Sequence, residues 1–215
     1  MKLLIDPHGD DAVLFASFTV MRERPLVLVV FDSFVQPLRG ALGCDLMTRR
    51  RESLDAMVHL DPPKIEWLGF RDGDPPVVNN LTNALVACID GIDVNFPALE
   101  IWAPAYEEGG HEQHNLVARA CDAFEGSCRV HRYLTYTRRH GKSRLEDPDY
   151  RYPYRAEVLP RSGEDIARKH RALACFKSQM QLDPRIGCAD WFMNDLREYA
   201  LIDSVERVDD GSEKR

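Results

Sequence analysis

Six consecutive apolar residues, Leu26 to Phe31 (LVLVVF), place the tightest limit on what this chain can fold into. A strand with one wet face alternates apolar and polar residues, so an unbroken run reads as a strand covered on both faces, as in the middle of a parallel sheet. Lys2 to Ile5 read as another buried strand. After it, Leu14, Phe18 and Met21 recur at i, i+4 and i+7 as one face of a helix.

Strand and helix patterns then alternate along the chain. A helix is expected from about Leu46 to Leu60, with Leu54, Met57 and Val58 inward and Pro62-Pro63 ending it. Lys64 to Phe70 read as a strand. The next helix, from about Asn79 to Ile92, puts Leu81, Leu85, Cys88, Ile89 and Ile92 on one stripe. Leu99 to Ala103 form a strand, and a helix begins at His111 with Leu116, Val117, Ala120, Cys121 and Phe124 as its apolar face. Val130 to Thr137 make a fifth strand. Such alternation is the signature of right-handed βαβ units around a mostly parallel sheet, so one α/β domain over residues 1–215 is expected.

The remaining segments read differently. Residues 138–154 are polar and basic at first and are expected to form a mobile loop. Tyr150 to Leu159 read as a strand pairing with what precedes that loop. Ser162 and Asp165 suit a helix N-cap and its partner, opening a helix to about Ser178. A short helix around Trp191 to Tyr199, a strand at Ala200 to Val208 and a frayed tail at 209–215 follow.

The net charge of −7 argues against a nucleic-acid backbone as main partner, since that needs clustered Lys and Arg. No stretch reaches the roughly 20 apolar residues of a membrane span, and Met1-Lys2 runs straight into a strand, so no membrane partner and a cytoplasmic location are expected. The six cysteines show no CxxC pair and read as reduced small hydrophobes. Oligomeric state is left open.

The chemistry-bearing residues gather at strand ends. In a doubly wound sheet, ligands bind outside the carboxyl ends of strands where strand order reverses. His8, Asp10 and Asp11 follow the first strand, and His111 and His114 follow the fourth. If those strands are neighbours, all five converge on one crevice. Adjacent Asp10 and Asp11 cannot both point the same way, so one carboxylate is expected on a metal and the other towards a reacting water. Two imidazoles and one carboxylate leave open positions on an ion, as catalytic zinc requires. Fe(II) takes the same ligand set. No G-x-G-x-x-G follows the first strand, which counts against a dinucleotide site.

These residues also carry a resemblance. PHGDDAVL resembles the PHPDDE or AHPDDE motif of the N-acetylglucosaminyl-phosphatidylinositol de-N-acetylase-like (LmbE-like) family, and GGHEQHN resembles its GHPDH motif. RRRESLDAMVHLDPPKIEWLGFRDGD and KHRALACFKSQ are similar to two lesser stretches, so the likeness spans about residues 2 to 180. It implies a Rossmann-like three-layer sandwich with a small C-terminal extension, and zinc-dependent removal of an acetyl group from an N-acylated amino sugar or related small molecule. By the same resemblance His8, Asp11 and His114 match the zinc ligands, Asp10 the general base and His111 the oxyanion-stabilising histidine. Arg49, spaced R-x-x-E with Glu52, and Asp72 match substrate-binding positions, whereas Ser178 reads as structural.

The sequence departs from the family pattern around this centre. Gly9 replaces proline, Ala12 stands where glutamate is common, and Gly109 stands where some relatives have tyrosine, for which Tyr106 is a candidate substitute. Gln113 replaces an aspartate that would buttress His111, so weaker support of that histidine is expected. The alternatives are a catalytically impaired metal-binding protein of the same fold and an amidase of a non-sugar conjugate.

Overall fold

The structure, a computed structural model, describes residues 1–32, 46–91, 98–135, 138–139, 142–143, 155–180 and 196–201. Its elements run β1 (Lys2–His8), α1 (Asp11–Phe15), α2 (Ser17–Glu23), β2 (Leu26–Asp32), α3 (Leu46–Leu60), β3 (Ile65–Arg71), α4 (Val78–Asp90), β4 (Glu100–Pro104), α5 (Glu112–Asp122) and β5 (Arg129–Tyr133). Then come β6 (Arg138–Arg139), β7 (Lys142–Ser143), β8 (Arg155–Glu157), α6 (Gly163–Leu173), α7 (Lys177–Met180) and β9 (Tyr199–Leu201).

β2 is buried from Leu26 to Phe31, and its side chains divide between two cores. Leu26, Leu28 and Val30 join Leu3 and Ile5 beneath Leu81, Leu85 and Ile89 of α4 and Val117 and Cys121 of α5. Val27 and Val29 join Leu4 on the other face, against Ala12 and Val13 of α1, Met57 and Leu60 of α3, and Leu173 of α6. Alternate side chains of a strand point to opposite faces, so a run with no polar member requires a layer on each side. The result is the expected three-layer α/β sandwich.

The main sheet has the order β3-β2-β1-β4-β5-β9-β8. β1 to β5 are parallel, and β9 and β8 extend the sheet antiparallel beyond β5. The chain winds outward from β1 through β2 to β3, then crosses to β4 on the other side. Strand order therefore reverses between β1 and β4, which pair in register from Lys2↔Glu100 to Leu4↔Trp102.

Several expectations need correction. The first helix is two helices, broken at Ala16 (φ −141°, ψ 19°). Phe18 N–H donates to the Glu198 carboxylate at 3.0 Å, so a residue 180 positions away closes the start of α2. In α3 the inward face is Arg49, Glu52, Ser53, Ala56, Met57 and Leu60, whereas Leu54 and Val58 are 45% and 75% exposed. Of the strand expected over Tyr150 to Leu159, the described residues 155–159 contain β8, which pairs with β9 and not with β5. The polar segment after β5 includes the β6–β7 ladder. Ser162 does cap α6, accepting from Asp165 N–H at 3.3 Å, but that helix ends at Leu173. Cys88, Cys121, Cys128 and Cys175 are free thiols. Cys44, Cys188, Ile92, the 144–154 segment, the start of the Trp191 helix and the 209–215 tail lie outside the described residues. No helix among those described is long and apolar enough to cross a membrane.

One buried ion pair ties the α1–α2 break to the rest. Lys169 Nζ donates to Glu198 at 2.6 Å and to the carbonyls of Leu14 and Leu196, each at 3.1 Å. Removing one member of such a pair leaves an uncompensated charge, at a cost of about 3–5 kcal/mol. Lys169→Met is expected to lose that much stability in urea unfolding, and adding Glu198→Gln should recover a large part of it.

Candidate metal centre

Each of the five converging residues is placed by an element end. His8 closes β1 and is buried. The chain turns at Gly9-Asp10 and α1 starts at Asp11. His111 is the N-cap of α5 in extended conformation (φ −67°, ψ 126°), and His114 lies one turn inside. Because β1 and β4 are neighbours, the turn after one faces the helix start after the other.

Three donor atoms meet there. His8 Nδ1 is 3.0 Å from Asp11 Oδ2 and 3.1 Å from His114 Nε2, and His114 Nε2 is 2.9 Å from Asp11 Oδ2. Atoms about 3 Å apart can all sit at the roughly 2.0–2.2 Å of zinc–nitrogen and zinc–oxygen bonds from one centre. The donor set therefore fits a small divalent ion. His111 approaches from outside, its ring centroid 5.2 Å from that of His8 and 4.7 Å from that of His114.

The far side of each ligand ring is held as well. His114 Nδ1 lies 3.2 Å from Thr135 Oγ1, and His8 Nε2 lies 2.6 Å from Gln113 Oε1. Gln113 Nε2 donates to the Asp72 carbonyl at 2.6 Å, which fixes the amide's orientation and makes its oxygen the acceptor towards His8. His8 thus carries a hydrogen on Nε2 and turns Nδ1 to the centre. Gln113, standing where the family pattern has an aspartate, directs these bonds to His8 and Asp72.

Charge follows the same geometry. Burial pulls His8 down, but the hydrogen bond and charge of Asp11, with Asp10 behind it, outweigh burial and raise its pKa to about 9. Burial pushes Asp11 up, but His114 and His8 overcome it and hold the carboxyl far below the usual range. A proton and a metal ion compete for the same lone pair in such a cluster. His111 goes the other way, lowered to about 4 by burial and then by the charges of His114 and His8, so at neutral pH it is a neutral N–H donor.

Asp10 is left out of the trio. Its carboxylate is half-buried and accepts from Arg49 Nη2 at 3.3 Å. Asp72 lies behind His8, its Oδ1 3.9 Å from Nε2 on the side of the ring away from the centre. Arg49 reaches the site through Asp10 and lines a small cleft beside Gly9 together with Asp32, Arg50 and Trp67. Glu52 points elsewhere, accepting from Ser178 N–H at 2.8 Å and Ser178 Oγ–H at 2.5 Å.

The departures have steric causes. A Cβ on Gly9 would lie 2.4 Å from Ser53 Oγ, so Ser53 occupies the room that a larger residue would need. Gly109 has φ of 72°, a conformation in which tyrosine would be strained. The hydroxyl of Tyr106, the candidate substitute, accepts from Arg119 at 3.0 Å. Among the remaining histidines, His131 stacks on Trp102 at 4.6 Å, away from the centre.

Asp6 was missed by sequence reasoning. It is fully buried two residues before His8, its Oδ1 accepting from Ala12 N–H at 3.2 Å. The signal was present, since a lone carboxylate inside an apolar strand is rarely buried without a reason.

Fold and site together define a doubly wound α/β protein with a His-Asp-His cluster at its strand-order switch. The sequence matches no protein-family model and no curated protein. Solved structures do match. The zinc-inhibited form of teicoplanin deacetylase Orf2 superposes with TM-score 0.69 at 19% identity, over 94% of this chain and 97% of that one. The A40926 pseudoaglycone deacetylase Dbv21 gives 0.67 at 18% identity, over 93% and 95%. N,N'-diacetylchitobiose deacetylase from Pyrococcus horikoshii gives 0.59 at 18% identity, over 86% and 72%. The fold is thus shared with these deacetylases. It is not confined to them, since the 4-carboxy-2-hydroxymuconate hydratase GalB of Pseudomonas putida gives 0.58 at 11% identity, over 94% and 95%.

The Gly9–Ser53 contact yields a test of the turn. Gly9→Ala overpacks it and is expected to cost about 1–3 kcal/mol in urea unfolding. In a Ser53→Gly background the same change should cost clearly less, which a double-mutant cycle measures.

Proposed function

We propose that the protein belongs to the de-N-acetylase-like family and is a zinc-dependent hydrolase of a linear amide, that of an N-acylated amino sugar or related small molecule. The observation that carries this reading is the trio of His8 Nδ1, Asp11 Oδ2 and His114 Nε2, 2.9–3.1 Å apart, with the Asp10 carboxylate beside it and outside it. Two imidazoles and one carboxylate would hold the ion, which supplies polarisation of a carbonyl and a lowered pKa for water. The deacetylases of like fold support the reaction class, and the chitobiose enzyme supports an amino-sugar substrate.

The chain's own groups take the remaining roles. Asp10, oriented by Arg49, removes a proton from the attacking water and delivers one to the departing amine, so that amide and water become carboxylate and free amine. His111, neutral and exposed, donates a hydrogen bond to the carbonyl oxygen as negative charge develops. Arg49 and Asp72 offer a cation and a carboxylate to the polar groups of a sugar. His8 and His114 hold their orientation through Gln113 and Thr135.

Two readings compete. Fe(II) would fit the same ligands, and metal analysis after purification decides between the ions. GalB shows that this fold also carries a hydratase, although the carboxylate beside the trio suits proton transfer in either reaction. Release of acetate and free amine from a panel of N-acetylated amino sugars tests the main reading, and a loaded protein that releases neither overturns it. Asp10→Asn is expected to keep the bound ion while losing about 10²–10⁴-fold in turnover. Full turnover in that variant would remove Asp10 from its role.

A further inference from the structure

The trio depends on Asp11 turning inward one residue after Asp10 turns outward, and the structure shows what fixes that turn. β1 is pinned up to its end: Asp6 and His8 lie in register with Val29 and Phe31, and Tyr133 Oη–H donates to the Ile5 carbonyl at 2.9 Å. From this fixed strand the Asp6 side chain reaches forward, and its Oδ1 accepts Ala12 N–H at 3.2 Å. Asp6 thereby spans the whole turn, from two residues before His8 to the residue after Asp11. Its bond is made to one of the helix-start N–H groups that α1 cannot satisfy internally, and Asp10, the N-cap, makes no side-chain cap bond of its own.

Asp6 is a poor choice for stability alone. It is fully buried, and its Oδ2 is a side-chain atom with no hydrogen-bond partner among the described residues. A buried polar atom left unpaired is destabilising, and an apolar residue on this strand would not carry one. Ala12, buried beside it, supplies no polar side chain that could take over.

We propose that Asp6 is a positioning residue for the metal centre, holding the His8–Ala12 turn so that Asp11 meets His8 and His114 while Asp10 stays free. It touches neither ion nor substrate. The inference rests on the metal reading of the trio.

The experiment compares wild type, Asp6→Val and Asp6→Asn by two measurements: zinc affinity by competition with a chromophoric chelator, and the urea midpoint of the metal-free protein. Wild type is measured first, and failure to bind zinc would overturn the metal reading itself. Given binding, Asp6→Val is expected to lose about 10–100-fold in zinc affinity, the usual effect of removing a group that orients a ligand. Its metal-free urea midpoint should stay close to that of wild type, because removal of the unpaired Oδ2 offsets the loss of the acceptor for Ala12 N–H. Asp6→Asn keeps an acceptor for Ala12 N–H and should stay within about threefold of wild type in zinc affinity. Unchanged zinc affinity in Asp6→Val would overturn the proposal, as would a loss of metal-free stability large enough to account for the weaker binding. Should Asp6→Val not fold, an Asp6→Asn protein that folds and binds zinc as weakly as a ligand deletion would also overturn it.

Discussion

The pairing of β1 with β4 is the contact on which the rest of this structure depends. Those strands are about a hundred residues apart in sequence, yet Leu3↔Ile101 and Leu4↔Trp102 sit side by side. Both strands are buried, so their backbone N–H and C=O groups must find partners within the sheet. Once they pair, the turn after β1 and the start of α5 have nowhere to go but the same crevice. The contacts of His8 with His114 and with Gln113 follow from that pairing.

Within the crevice, three carboxylates lie within six residues, and each has a different partner. Asp11 serves the backbone N–H and ring of His8 and the ring of His114. Asp10 meets Arg49 from α3, and Asp6 meets Ala12 N–H. Like charges this close repel: burial, and then the charges of Asp11 and Asp10, push the Asp6 carboxyl well above the usual range. The Lys169–Glu198 pair sets the other end of the same helix layer, closing α2 and holding Leu14 at the end of α1.

The α3 face shows why sequence reading succeeds in one place and fails in another. Helical periodicity assumes that apolar residues point inward, and that rule puts Leu54 and Val58 in the core. The helix instead turns Arg49, Glu52 and Ser53 inward: Asp10 and Ser178 partner the first two, and Ser53 packs against the Gly9 turn while its hydroxyl donates to the Arg49 carbonyl. A polar side chain buried at a site is indistinguishable in sequence from one in water. Gln113 is a similar case: its neighbours in sequence point to His111, whereas its hydrogen bonds reach His8, 105 residues away, and the Asp72 carbonyl.

The sequence by itself determined the alternation of strands and helical segments through β5, the two-sided burial of β2 and which five residues gather around the crevice, because local periodicity and residue chemistry record them directly. It also required that Asp10 and Asp11 diverge, since neighbouring side chains cannot share a direction. The tertiary structure decided which of them joins the two histidines, how α3 is rotated, that β9 separates β8 from β5, and that Asp6 belongs to the site. Those outcomes depend on partners supplied across strand pairings and helix packing, and no window of neighbouring residues contains them.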